Sequence, residues 1–303
     1  MWAITSYYNP MRYRRRLANY RIFRKNLTTP LITVELSFDG KFELTKGDAD
    51  ILIQISGGAI LWQKERLLNL AIKSVPSDVS SIAWLDCDVI FERSDWVDEA
   101  KKRLRDLSVV QPFSNVLDLD REDHEISRAH HYAPPSLQGI VSLVDQTPLA
   151  PAIVLSAQAR FRSGGLAWVA RREILEDYGL YDAMIAGGGD RAVVSAMYGQ
   201  FETLIKLNQL NSARAKHYLA WAHPYYRAVG GRIGHFTGRL YHLWHGDIEN
   251  RNYAGRHRVL AECNFDPDID IAVGSNGAWQ WKRSRPDLEE FCTSYFMSRA
   301  EDG

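Results

Sequence analysis

The sequence predicts an α/β fold built on a mostly parallel, doubly wound central sheet flanked by helices. Two observations predict it. Short β-forming runs alternate with longer helical patterns over the first ~110 residues, as successive βαβ units require. The run IAWLDCDVIF, residues 82–91, then sets two carboxylates, Asp86 and Asp88, at the end of an apolar strand, which is where open α/β sheets bind their ligands.

The elements follow in order. Residues 2–8 are rich in β-formers and stop at the turn signal Asn9-Pro10, and residues 11–27 read as a basic amphipathic helix. Residues 31–38 form the next strand, ended by Asp39-Gly40, and residues 50–55 a third, followed by Gly57-Gly58. A helix over about 61–75 buries Leu67, Leu68, Ala71, Ile72 and Val75 on one face. Residues 82–85 are the fourth strand, Ser94 is placed to cap a helix starting near Asp95 and Trp96, and Val109-Val110 opens the fifth strand. Residues 115–162 show no clean periodicity and read as a surface connection with a mobile lid. A strand resumes at 164–170, and a short helix over 172–178 closes at Gly179. Gly187-Gly188-Gly189-Asp190 opens a helix running towards Leu207, and another spans about 212–226 before Gly230-Gly231.

Composition excludes several classes. Of 303 residues, 46% are hydrophobic and 24% charged, the balance of a globular protein rather than a disordered or membrane-embedded one. Lys+Arg 37 against Asp+Glu 37 leaves no bulk charge to draw a nucleic acid. The basic residues between Arg12 and Lys25 are expected on a solvated helix face, which also offers peripheral contact with an anionic membrane. Cys87, Cys263 and Cys292 form no CxxC pattern, so reduced thiols and a cytoplasmic setting are expected. No apolar stretch approaches the ~18 residues of a transmembrane helix.

Three constellations carry chemistry. A buried carboxylate needs a compensating charge, and a strand-end turn would let Asp86 and Asp88 reach one divalent cation, directly or through water. Six of the nine histidines fall between His217 and His257, and the spacing of His242 and His245 lets both face one point, as metal-binding imidazoles do. At Gly187-Gly188-Gly189-Asp190, Asp190 is either a helix cap, a general base in the crevice, or both.

In this order, WAITSYYNP, DCD, SGGLAWV, GGGD and HLWHG resemble the GT-A glycosyltransferases, enzymes of the nucleotide-diphospho-sugar transferase superfamily. The likeness is to family-2-like members with a galactosyltransferase-type catalytic half and covers residues 2–246. It implies one GT-A-like domain over 1–303, with a donor-nucleotide half (1–112), an acceptor and catalytic half (113–248) and a C-terminal helical extension (249–303). By resemblance, Asp88 is the direct Mn²⁺ (or Mg²⁺) ligand, with His245 and His242 as the late histidine element. Asp86 reaches the donor ribose, or the metal through water. Thr5, Ser6 and Tyr7 contact the uridine or its ribose, and Arg66 approaches the donor. Asp190 deprotonates the acceptor hydroxyl, and Gly164, Gly165 and Trp168 meet the acceptor. The pattern departs from the family at Arg191, where further acids are usual.

The function this implies is transfer of a hexosyl group from a nucleotide diphosphate, a UDP-sugar first, to a glycan, lipid-linked or protein hydroxyl, with inversion if Asp190 is the base. Two alternatives stand beside it. A metal-dependent nucleotidyltransferase or nucleotide-sugar hydrolase could use the same sheet, and a non-catalytic glycan-binding descendant could keep the fold alone.

Overall fold

The computed structural model describes residues 1–122, 137–146, 151, 155, 162–252 and 255–303. The chain opens with β1 (Trp2–Tyr8), α1 (Arg14–Asn26), β2 (Leu31–Ser37), β3 (Ile51–Ser56), α2 (Lys64–Ile72) and β4 (Ser81–Leu85). It continues through β5 (Val89–Phe91), α3 (Trp96–Arg103), β6 (Val109–Gln111), β7 (Asn115–Asp118), β8 (Leu137–Gly139), α4 (Ile140–Gln146), β9 (Arg162–Ser163) and β10 (Ala167–Arg171). Then come α5 (Arg172–Tyr178), α6 (Gly189–Met197), α7 (Phe201–Leu207), α8 (Ser212–Val229), β11 (Ile233–His235) and β12 (Arg239–His242). The last segment holds α9 (Gly255–Glu262), α10 (Pro267–Asp270), the hairpin of β13 (Ile271–Val273) and β14 (Trp279–Trp281), and α11 (Pro286–Ser298).

The seven-stranded sheet runs β11-β6-β10-β4-β1-β2-β3. β1 pairs parallel with β2 and β4, β2 with β3, and β6 with β11, while β10 runs antiparallel to both neighbours. The period of two along each strand sends alternate residues to opposite faces. Ala3, Leu31, Ala83, Leu85, Val110 and Val169 pack with Phe23 of α1 and with Trp96 and Ala100 of α3. Ile4, Ile32, Ile82, Trp84 and Trp168 pack with Leu67, Leu68 and Ala71 of α2. Helices therefore cover both faces, as the βαβ reading requires.

Three local expectations change. The helix expected from Ser94 begins at Trp96 with Asp95 at the cap position, and Asp95 caps nothing because Arg93 binds its carboxylate at 2.7–2.8 Å. The single helix expected towards Leu207 is two, α6 and α7, broken where Gly199 takes φ 65°. The stretch read as a surface lid contributes β7, β8 and β9 to a second sheet, β5-β12-β7-β8-β9, and Ile140 and Val141 of α4 lie in the core. Residues 123–136, with His130-His131 and Pro134-Pro135, lie outside the described residues.

The C-terminal extension is not purely helical. Phe265, Ile271, Ala278, Leu288, Cys292 and Phe296 join the same core as Ile4 and Leu67, so residues 249–303 are built into the molecule. Wholly buried Asp270 is held by Arg283 and Arg285 at 2.5 Å each, which satisfies a carboxylate that would otherwise be costly. Much of the basic α1 segment is used internally. Arg16 binds Glu301 at 2.6 Å, Arg24 binds Asp50 at 3.0 Å, Arg12 pairs with Asp39, and Arg15 stacks over Trp244. Arg14, Arg21 and Lys25 remain exposed. Among the described residues, no helix is long and apolar enough to cross a membrane, and the three cysteines are free thiols.

Candidate active site

The turn Asp86-Cys87-Asp88 leaves β4 and enters β5, and each carboxylate finds its own compensation. Asp86 meets a lysine that sequence reasoning passed over: Lys64 Nζ lies 2.5 Å from Asp86 Oδ1 and 3.0 and 3.1 Å from the two oxygens of Asp190. Burial pushes Asp86 up to about 6, against the opposing pull of Lys64, with Asp190 and Asp88 adding to the rise. Burial works against the Lys64 ammonium too, but Asp190 and Asp86 outweigh it and hold its pKa well above the usual lysine value.

Asp88 turns the other way, towards the histidines. The antiparallel pairing of β12 with β5 sets His242 opposite Val89, and Leu243 N–H donates to the Asp88 carbonyl at 2.8 Å. His245 Nε2 is 3.4 Å from Asp88 Oδ2, His242 Nε2 is 3.8 Å from Asp88 Oδ1, and the two Nε2 atoms are 3.2 Å apart. One ligand atom from each of the three residues lies within 4.8 Å of the others.

Three further residues contact this cluster, and none was singled out from the sequence. Parallel pairing of β7 with β12 puts Asp118 beside His242, and their 2.7 Å hydrogen bond to Nδ1 turns Nε2 towards Asp88. Arg251 Nη2 donates to His245 Nε2 at 3.1 Å, so it takes the lone pair that a cation there would need and would have to turn aside for one. Glu301 lies 3.9 Å from His245 Nδ1 and is itself bound by Arg16 and Arg299 at 2.6 Å. The last residues fit here because Gly246, at φ 89°, carries no Cβ to strike the Arg299 carbonyl.

Charge in the cluster follows its packing. Burial, then Arg251, lowers His245 to about 4, leaving a neutral imidazole near pH 7. For His242 burial is outweighed by the Asp118 hydrogen bond and the Asp88 charge, which raise it. Burial would raise Asp88, but His245, His242 and Arg251 bring it below the usual carboxylate value. Replacing Asp118 by Ala is expected to weaken any divalent-cation binding at Asp88, His242 and His245 about 10- to 100-fold, because His242 loses the partner that orients it. A metal titration of the variant checks this, and an unchanged midpoint would reject the supporting role.

Asp190 enters from the first turn of α6. Gly187 and Gly188 adopt φ 81° and 98°, a left-handed entry that favours glycine. A Cβ on Gly165 would come 2.8 Å from Asp190 Oδ2, so this glycine makes room for the carboxylate. No Asp190 side-chain cap bond is present: the carboxylate faces Lys64 rather than the helix backbone.

Several expected contacts lie elsewhere. Arg66 binds Asp182 at 3.1 Å and the Gly277 carbonyl at 2.8 Å, and lies over Trp279, so it fastens the β13–β14 hairpin. Trp168 is 1% exposed, stacks on Trp84 and donates its ring N–H to the Gly164 carbonyl, which leaves no open ring face for an acceptor. Thr5 is fully buried and donates to the Leu85 carbonyl at 2.7 Å, bracing the end of β4, while Ser6 is largely buried. Tyr7 donates to Glu43 at 3.0 Å and packs edge-on to Tyr20. Of the predicted set, the structure brings Asp88, His242 and His245 into one group, and Asp86, Asp190 and Gly165 into another around Lys64.

Strand order β3-β2-β1-β4 continued by a reversed strand, with helices on both faces and a carboxylate turn after β4, makes the mostly parallel, doubly wound α/β fold that the sequence predicts. No family model matches the sequence, and no curated protein matches it. Among solved structures the chain is similar to S. aureus TarS 1-349, at 10% identity and a TM-score of 0.37, covering 98% of this chain and 70% of that one. It is also similar to 4-diphosphocytidyl-2C-methyl-D-erythritol synthase from Anaerococcus prevotii, at 10% identity and a TM-score of 0.36, covering 78% of this chain and 86% of that one. The strand order, not these likenesses, carries the fold class.

Proposed function

We propose that this chain is a metal-dependent glycosyltransferase that moves a sugar, a hexose first, from a nucleotide diphosphate, foremost a UDP-sugar, to an acceptor hydroxyl. The observation that carries the reading is the 86–88 turn: one carboxylate faces two histidines, and the other shares a lysine with a third carboxylate from α6.

The residues present fit a divalent cation. Asp88 Oδ1 is buried without a hydrogen-bond partner, and two imidazole nitrogens converge on the same carboxylate. Two nitrogens to one carboxylate favour Mn²⁺ over the oxygen-seeking Mg²⁺. Asp88, His242 and His245 would hold the ion, and when bound it would neutralise charge on the leaving diphosphate.

The chain's own groups carry the rest. Asp190 takes the proton of the acceptor hydroxyl as that oxygen bonds to the anomeric carbon and the bond to the diphosphate oxygen breaks, which inverts the configuration. Asp86, beside the metal group but turned from it, is placed to hold the donor sugar or ribose. The acceptor class is a glycan, a lipid-linked saccharide or a protein, and the measurement below is independent of which it is.

Calorimetric titration with UDP tests the reading directly. Micromolar binding with Mn²⁺ that disappears with EDTA is the expected result. Absence of binding for both UDP and GDP, with and without Mn²⁺, would reject a nucleotide-sugar donor, and Mn²⁺-dependent pyrophosphate release from a nucleoside triphosphate would reassign the chain to nucleotidyl transfer.

A further inference from the structure

Lys64 breaks two local rules at once. It is the first residue of α2, where the positive end of the helix dipole disfavours a cation, and it lies on the apolar stripe with Leu67, Leu68 and Ala71. Only 8% of the residue is exposed. A lysine is rarely tolerated in such a place without paired charges, and here it has two: Asp86 from the β4–β5 turn and Asp190 from α6. Rule-breaking of this kind, answered by partners from two distant elements, marks a functional position.

We infer that Lys64 is a positioning residue of the transfer reaction, a tethered cation that binds the donor-side carboxylate Asp86 to the base Asp190 and fixes the base in the crevice. The inference rests on the proposed transferase reading for the role of Asp190, while the bridge itself stands on the contacts alone. Its logic is electrostatic. Without the ammonium, Asp86 and Asp190 would confront one another as like charges, with buried Glu65 beside them, and such a group relieves repulsion by moving apart. That movement removes an aimed carboxylate from the place where the acceptor proton leaves. The neighbouring charges that face this group are Lys64, Asp86 and Glu65, with Arg191 next in the chain directed to Asn208. Asp88 and its histidines lie on the other side of Cys87, so the metal group does not depend on Lys64 for its contacts.

The test compares Lys64→Met and Lys64→Arg with the full-length parent chain. Lys64→Met is expected to lower kcat about 100-fold, the cost of a misplaced catalytic group, while Mn²⁺-dependent UDP affinity stays within about threefold, as expected when only the transition state loses an interaction. Lys64→Arg, which keeps the charge, is expected to recover much of the rate, and Lys64→Gln replaces the methionine variant if that one does not fold. A double-mutant cycle of Lys64→Met and Asp190→Asn in thermal unfolding reads the bridge without any turnover: the effects of the two changes are expected to be non-additive, as for side chains in direct contact. Parental kcat in Lys64→Met would overturn the inference, as would additive effects in the cycle. An inert parent that binds no UDP would overturn the transferase reading and the catalytic role with it, and the cycle would then decide the bridge alone.

Discussion

Asp88→Asn is expected to abolish Mn²⁺-dependent UDP binding, with the cation affinity falling at least about 100-fold, beyond the loss typical of a supporting residue such as Asp118. The argument is local. Among the described residues, Asp88 is the only carboxylate that His242 Nε2 and His245 Nε2 both approach, at 3.8 and 3.4 Å, so the change removes the anionic member of a three-residue group. An amide keeps the shape of the side chain, and the Leu243 N–H bond to the residue 88 carbonyl belongs to the backbone, so β5 stays tied to β12. Thermal unfolding without metal should therefore change little, while the calorimetric signal for UDP with Mn²⁺ disappears. Parental affinity for both ligands in a folded Asp88→Asn protein would move the cation elsewhere.

The local signals were legible before the structure because they depend on near neighbours. The alternation of strands and helices, the polar turn after an apolar strand, the three glycines before Asp190 and the spacing of His242 and His245 are read within a few residues. What was missed depends on pairing across the chain. Asp118 reads as one acid among several until β7 is set beside β12, which makes it the neighbour of His242. Glu301 is 56 positions beyond His245, and no pattern in the sequence announces that the C-terminus returns to the site. Trp168 faces Trp84 across β10 and β4, and that register sends both rings into the core rather than the crevice.

Helix phase explains the exchange of Arg66 for Lys64. Two residues on an α-helix are separated by roughly 200° of rotation, so a helix that turns one of them to the crevice turns the other away. The periodicity contained the answer. Leu67, Leu68 and Ala71 mark the buried face of α2, and Lys64 sits three, four and seven positions before them, on that face. Arg66, on the opposite side, is free to hold Asp182 and the Gly277 carbonyl.

Asp190→Asn is expected to leave UDP and Mn²⁺ binding close to parental while turnover with an acceptor falls by about 10²- to 10⁴-fold, the range for loss of a general base. Asp190 is not part of the Asp88, His242 and His245 group, so donor binding has no direct stake in its charge. Its contacts are instead with Lys64 and with the space left by Gly165, and asparagine fits both, since its amide oxygen still accepts from the ammonium. What the amide cannot do is take the proton of an acceptor hydroxyl. With the carboxylate gone, kcat should fall without a matching loss of donor affinity, the signature of an interaction made in the transition state. Turnover at the parental rate in Asp190→Asn would remove this residue as base and leave its pairing with Lys64 as a purely structural contact.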